Sequence, residues 1–365
     1  MKKYARRIVA LVMIAGAWGN GTFNAVAQDD EDTRAADARA KDPAWKPSAH
    51  EVRMIQVGDA KAPGALKNFC LNAEGNILAC FVPKGTAKSS AANNASGIRV
   101  YSPTGKLLKT LALEIKPTVI CAAGDGSIFV AGDGKLLKLD AAGKVLASAV
   151  SPVASVPVQI TPAMKEMLKE SKRDTPEELE QTKASLAQRR ADVTGLAVTE
   201  QDVFMAVPTP NEFTYRVYRF DHALQNPTLV VEKLRGCCGQ MDIQARDAKL
   251  WIPHNGRHSV EMRDRDGKEL SKFGKGGKVK AEDFGGCCEP KNMRALANGD
   301  VLVAESGPPT CIKRFSASGK FLGVVAIVNQ KSDCVRVTVE MSPDGSSFYL
   351  LDTQRDAIRV FKPKT

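Results

Sequence analysis

Apolar and polar residues alternate with a period of two through most of the chain beyond residue 50, in short runs separated by glycine-containing turns. Such alternation places apolar side chains on one face of an extended strand, so it predicts half-buried β-strands. Residues 285–326, GGCCEPKNMRALANGDVLVAESGPPTCIKRFSASGKFLGVVA, show the unit most clearly. Asn298-Gly299-Asp300 parts the first two runs, Gly307-Pro308-Pro309 the second and third, and Ser318-Gly319-Lys320 the third and fourth. Asn-Gly between apolar runs signals a hairpin in which both central residues take positive φ. The unit is a four-stranded antiparallel meander. Alone it cannot bury both faces, so it needs copies of itself.

The copies are present. The third-strand segments IRVYSPTGK, LLKLDAAGK, YRVYRFDHA, VEMRDRDGK, IKRFSASGK and IRVFKPK align along the chain. The last copy stops after three strands, while residues 51–57 (EVRMIQV) form a spare strand ahead of the first. A ring follows in which the spare strand completes the last copy and leaves no free sheet edge. The expected fold is all-β, a six-bladed β-propeller spanning 51–365. The competing architecture is a seven-bladed ring with a degenerate blade hidden in the leader and the insert.

One stretch, 160–192, breaks the alternation and takes a helical period. Thr161-Pro162 and Thr175-Pro176-Glu177-Glu178 each offer a helix start, with Thr capping free N–H groups, Pro at the first helical position and Glu178 completing a capping box. Met164, Met167 and Leu168 mark one apolar stripe, and Leu179 and Leu186 another. A helical hairpin is predicted there.

The N-terminus reads differently. Lys2, Lys3, Arg6 and Arg7 precede an apolar run over 8–18, and Ala25-Val26-Ala27 offers small residues for cleavage. This is the pattern of a secretory signal peptide over 1–27, too short for a membrane span. The expected product is exported, to the periplasm or outside the cell, with no transmembrane segment in the mature chain. Residues 28–50 are charged and Ala-rich without apolar periodicity, so a disordered leader is expected. Of the 52 Lys+Arg, four lie in the signal segment, as do none of the 41 Asp+Glu, which leaves a net charge of +7. No nucleic-acid motif accompanies that excess, and no nucleic-acid partner is expected. All nine cysteines follow residue 27, and an odd count leaves at least one outside any internal pairing.

The segments DGKEL, FG, ESG and IKRFSASGKFLG resemble NHL-type propeller repeats, and the paired cysteines of GCCGQMD and GCCEPKN resemble a bacterial exported subgroup of that fold. The resemblance is specific from about residue 236 onward. It implies a platform for protein, RNA or small-molecule binding and, in some relatives, lyase or lactonase chemistry.

Propeller geometry puts the start of each inner strand, the second-to-third connections and the links between blades on one face. Cys237, Cys238, Cys287, Cys288, Cys311 and Cys334 are predicted to share that face, with His254 and His258 from a connection of blade four. Thiolates and imidazoles from separate loops suit a transition metal or a redox site. Disulfides across blades are the leading alternative for the cysteines, so a metal is a candidate cofactor that the sequence does not require. Glu305, Asp352, Lys275 and Lys278 are candidate ligand-face residues. Asp242 and Asn292, with Glu305 and Asp352, are the residues a lactonase-type channel metal would use. Cys70, Cys80 and Cys121 read as small buried core residues. No G-x-S-x-G, H-E-x-x-H, P-loop or EF-hand pattern is present. The leading expectation is a non-enzymatic binding or scaffold module that takes a protein or small-molecule ligand on its cysteine-rich face. The alternative is a metal-dependent or redox enzyme, lactonase/lyase-like or dithiol, using the same face.

Overall fold

Six four-stranded antiparallel sheets form the ring of a β-propeller. The computed structural model describes residues 25–58, 63–84, 95–236, 239–286, 288–328 and 334–364, with the side chains of 25–30 outside the description. Five sheets are meanders of consecutive strands. The sixth takes its outer strand from the other end of the chain: Ala49–Gln56 pairs with Ala357–Pro363, in the register Ala49 to Pro363 through Gln56 to Ala357. The six-bladed reading and its closing strand are therefore what the chain forms, and the seven-bladed alternative is set aside.

The turns explain the repeat, though not by the geometry that Asn-Gly suggested. Gly299 has φ 85°, whereas Asn298 is not among the residues with positive φ. The Gly299 N–H donates to the Leu296 carbonyl at 3.0 Å, and the Leu296 N–H to the Asp300 carbonyl at 2.8 Å. This is a longer turn closed by one left-handed glycine. Gly75, Gly105, Gly126, Gly143, Gly267, Gly319 and Gly345 close seven more hairpins with a single left-handed glycine. A turn that needs positive φ at a single position tolerates most residues before the glycine, which is why the copies share glycine spacing and little else.

The core lies between blades. Trp251 and Val260 of blade four pack on Phe284, Met293, Val301, Val303 and Phe315 of blade five, and Tyr349, Leu351, Ile358 and Val360 of blade six pack on Phe69, Ile77 and Phe81 of blade one. Each sheet thus buries its apolar face on its neighbour, and the ring supplies the missing partner.

Two helices occupy the predicted insert, α2 (Pro162–Glu170) and α3 (Pro176–Arg190), with Thr161 and Thr175 as N-caps. The Thr175 hydroxyl accepts from Glu178 N at 3.3 Å, but the Glu178 carboxylate turns to Arg173 (2.6 Å) rather than closing a capping box. Met164, Leu168 and Leu186 are the residues the hairpin buries.

The leader departs from expectation. Ala25–Lys41 is a helix, termed αN, and a 3-10 turn follows over Pro43–Trp45. This segment is docked: Trp45 Nε1 donates to the Val279 carbonyl at 2.8 Å, Arg39 donates to the Lys278 carbonyl at 2.7 Å, and Lys278 pairs with Asp32 at 2.8 Å. Charge and alanine content hid one buried aromatic and a charge-matched loop 230 or more positions away in sequence. Among the described residues no helix is long and apolar enough to cross a membrane.

Candidate functional site

Blade five buries charges in positions where blade two has apolar residues. Its strands are Asn292–Ala295, Val301–Glu305, Thr310–Phe315 and Phe321–Val328. Lys313 lies opposite Val303, and Glu305 opposite Cys311. Lys291 and Lys313 are both 0% exposed, a state lysine rarely reaches without a partner. Lys313 has partners. It ion-pairs with Glu305, donates to the Asp283 carbonyl at 2.6 Å, and stands 4.9 Å from the centre of the Trp45 ring. Glu305 also accepts from Gly285 N at 2.7 Å. The docked N-terminal segment therefore caps a buried ion pair.

Next to it, Glu289 is buried with one carboxylate oxygen saturated. Oε1 accepts from Ser306 N (3.0 Å), Ser306 Oγ (2.7 Å) and Gly307 N (2.9 Å), while Oε2 has no hydrogen-bond partner among the described residues. Burial pushes this carboxyl up to about 8, with Glu305 adding to the rise and Lys291 and the Ser306 bonds opposing it. Lys291 Nζ makes one hydrogen bond among the described residues, to Cys288 Sγ at 3.0 Å. Cys288 is buried and disulfide-bonded. Cys311 is a buried thiol whose pKa is raised by burial and then by Glu305.

The other predicted site residues divide. Cys237, Cys238 and Cys287 lie outside the described residues. Cys334 is exposed. His254 is buried with both ring nitrogens engaged: Nε2 accepts from Arg235 N at 2.9 Å, which leaves Nδ1 to donate to Glu261 at 2.6 Å. That tautomer offers no lone pair to a metal, so His254 is a structural residue in this fold. Burial disfavours ionised Glu261, but hydrogen bonds from His254 and Arg263 outweigh it and hold the carboxyl at about 2. Asp352 is consumed by Arg359 (2.9 Å) and by the N–H groups of Gln354 and Arg355. Lys275 is exposed and lies 3.5 Å from Asp283. Among the described residues no group of three or more His, Cys, Asp or Glu is arranged to hold a metal.

Asp242 and Asn292 do converge. They bond at 2.6 Å in the central channel, a cavity of about 100 Å³ lined by the inner strands of all six blades. Glu305 and Asp352 do not join them. Arg294 does, paired with Glu340, and beyond the lining Arg336 reaches across to the carbonyls of Thr118 (2.9 Å) and Thr194 (3.1 Å). Burial raises the Asp242 pKa while Arg336 opposes the rise. The channel's carboxylates already face guanidinium groups, so a divalent cation there meets repulsion. Cys70 and Cys80 are buried in one core cluster as expected, while Cys121 is half-buried; Cys70 and Cys121 also line this cavity.

A larger cavity, about 450 Å³, opens between αN and the rim of blades four and five. Arg34, His258, Lys278 and the backbone of Gly276, Gly277 and Gly286 line it, together with Glu31. His258 is held in a left-handed conformation at φ 52°, and its Nδ1 has no hydrogen-bond partner among the described residues. Burial lowers its pKa, against the Glu289 carbonyl and Glu305. Glycines at 276 and 286 leave room that side chains would fill: a Cβ on Gly276 would lie 3.1 Å from the His258 ring, and one on Gly286 would lie 3.3 Å from Glu289.

The sequence pointed to His258 and Lys278 but missed Arg34, Glu289, Lys291 and Lys313. A charged residue at this inward third-strand position was the available signal for Lys313: it recurs as Arg99, Glu261 and Arg359, while LLKL has leucine there.

No protein-family model matches the chain, and neither does any curated protein. Solved structures do. A gluconolactonase from Xanthomonas campestris aligns with a TM-score of 0.50 and 9% identity over 86% of this chain and 99% of that one. The WD40 domain of Neurospora crassa Pan2 aligns at 0.50 and 9% over 88% and 98%. A catalytically inactive virginiamycin B lyase from Staphylococcus aureus reaches 0.49 and 11% over 86% and 99%. Identities this low show the propeller fold alone.

Proposed function

We propose that this protein is an exported, NHL-like propeller that works as a binding module, taking a small anionic ligand in the cavity beneath αN. The cavity itself carries the reading. It is the larger of the two spaces described above, and it lies on the face where inner strands begin. Its Arg34 makes no ion pair among the described residues, and the glycines let backbone approach a ligand closely. Lys278 is already matched by Asp32 and Glu31, so it shapes the wall more than it attracts charge.

Ligand-detected NMR on the full chain with acetate, succinate and inorganic phosphate tests this. Binding of one of them, lost in Arg34→Ala and His258→Ala and kept in Lys106→Ala and Lys144→Ala on the opposite face, is the expected outcome. Loss confined to the opposite-face variants, or no binding of any probe, overturns it.

The second reading, a redox role for the same face, is favoured by the contact between Lys291 and the Cys288 sulfur.

A further inference from the structure

Each blade ends in an outer strand with one unpaired side, and the six strands protect that side differently. An unpaired edge offers N–H and C=O groups to any other strand, and charged side chains blunt the template. Four outer strands carry charge. Lys109 lies in Leu107–Ala112, Glu232 and Lys233 in Thr228–Arg235, Glu269 and Lys272 in Glu269–Phe273, and Glu51 and Arg53 in Ala49–Gln56. Two carry none: Val145–Val150 (VLASAV) of blade two and Phe321–Val328 (FLGVVAIV) of blade five. Blade five covers its uncharged edge from within the chain. The Ser48 N–H donates to the Val324 carbonyl at 3.0 Å, and Trp45 shares a buried cluster with Val324. Among the described residues Val145–Val150 has one sheet partner, Lys135–Leu139, and its Val145, Leu146 and Val150 are 50%, 52% and 64% exposed.

We propose that Val145–Val150 is a dimer interface, pairing antiparallel with the same strand of a second copy about a two-fold axis at Ser148. The existing ladder sets this register. Val150 stands opposite Lys135, and one step on the Ser151 N–H donates to the Gly134 carbonyl at 2.8 Å. Residues of an antiparallel strand alternately turn both backbone groups toward a partner and both away. Ser151 and Ala149 therefore face the third strand of blade two, while Ser148 and Val150 present their N–H and C=O groups outward. Side chains alternate as well. Ala147 and Ala149 pack on the core shared with blade three, so Leu146, Ser148 and Val150 form the exposed side.

A two-fold axis normal to the sheet preserves its faces, so each residue must meet one from the same side of the pleat. With the axis at Ser148, that serine meets itself, Leu146 meets Val150, and Ala147 meets Ala149. Apolar side chains then face one another, two hydroxyls come within reach of a hydrogen bond, and no like charges are opposed. This self-matching is what selects a second copy over an unrelated strand. A register shift where Leu139 meets Val145 ends the regular ladder, which confines the pairing to 146–150. Blade one widens the apolar surface. Lys109 Nζ donates to the Ala141 carbonyl at 2.6 Å, which brings the exposed Leu107 and Leu108 toward the turn that leads into Val145.

Sedimentation velocity of the full chain from micromolar to submillimolar concentration tests this. The parent is expected to form a concentration-dependent dimer. Ser148→Lys opposes two ammonium groups at the axis and is expected to raise the dissociation constant at least about 10-fold. Ser271→Lys, on the charged outer strand of blade four, is expected to leave it unchanged. Both serines are exposed, so all three proteins should melt at the same temperature. Cysteine substitutions read the register. Under mild oxidant Ser148→Cys should give a covalent dimer with position 148 joined to itself, mapped by mass spectrometry, and Val150→Cys should give none joined at 150. Should Ser148→Lys not fold, these two cross-links decide alone. A parent that stays monomeric throughout overturns the proposal, as does a dimer that Ser148→Lys leaves intact or a cross-link that forms at 150 and not at 148. Anion binding beneath αN involves blades four and five and is measured separately.

Discussion

Blades two and five are built on one ladder and filled with opposite chemistry. Blade two runs through Val119–Ala122, Ile128–Gly132, Lys135–Leu139 and Val145–Val150. In register, its Thr118, Gly132 and Leu137 stand where blade five has Lys291, Glu305 and Lys313. Blade two cannot even accept a side chain at the second of these, because a Cβ on Gly132 would lie 1.9 Å from the Lys116 carbonyl. Blade two therefore closes without that charge, whereas blades four and six bury charged partners, His254–Glu261 and Asp352–Arg359, in the register of Glu305–Lys313. Burying it is costly unless each ion is paired, and one of the two lysines is not matched by a carboxylate. What sets blade five apart is Lys291, buried with one hydrogen bond among the described residues, rather than the ion pair.

The largest expected effect breaks the ion pair. Lys313→Met strands Glu305 as a buried carboxylate and should cost about 3–5 kcal/mol, read from urea denaturation midpoints. Adding Glu305→Gln should recover most of that loss, while Leu137→Ala at the matching place in blade two costs about 2–5 kcal/mol with no partner able to restore it. If the double variant is as unstable as the single one, the charges are packing elements rather than a pair.

pH separates the blades next. The Glu289 pKa is raised in the fold from an ordinary 4.5 to about 8, so its contribution is complete below 4.5 and is lost as pH rises toward 8. Glu289→Gln should flatten a decline of about 5 kcal/mol across that window, measured as stability against pH. Blade four gives the opposite sign. Glu261 is held at about 2, so its contribution is present above 4.5 and is lost as pH falls toward 2. Glu261→Gln should remove an acid-side loss on the order of 2 kcal/mol, seen in acid-denaturation curves. Leu137→Ala should leave both slopes in place.

Much of the fold was legible in the sequence because its determinants are local. The glycines of eight hairpins recur at fixed offsets, alternation marks the strands, and Thr-Pro marks both insert helices. The Asn298 turn shows the limit of that reading: the dipeptide suggested two left-handed residues, while strand length and register selected a turn with one. The candidate site was less legible. His254 looked like a ligand from its spacing in PHNGRH, yet its role depends on Glu261 across the hairpin and on the Arg235 N–H of another blade. Glu289 and Lys291 look like ordinary polar residues until the ring encloses them.

By itself, the sequence determined the number of blades, the place of the helical insert and the strand that closes the ring, because turn chemistry and apolar period act over a few residues. Only the tertiary structure decided which charges are buried, that Trp45 covers the Lys313–Glu305 pair, and that the Lys291 ammonium rests on the Cys288 sulfur. Burial is a property of the assembled blades, and desolvation is what turns a common lysine or glutamate into a group with its own chemistry.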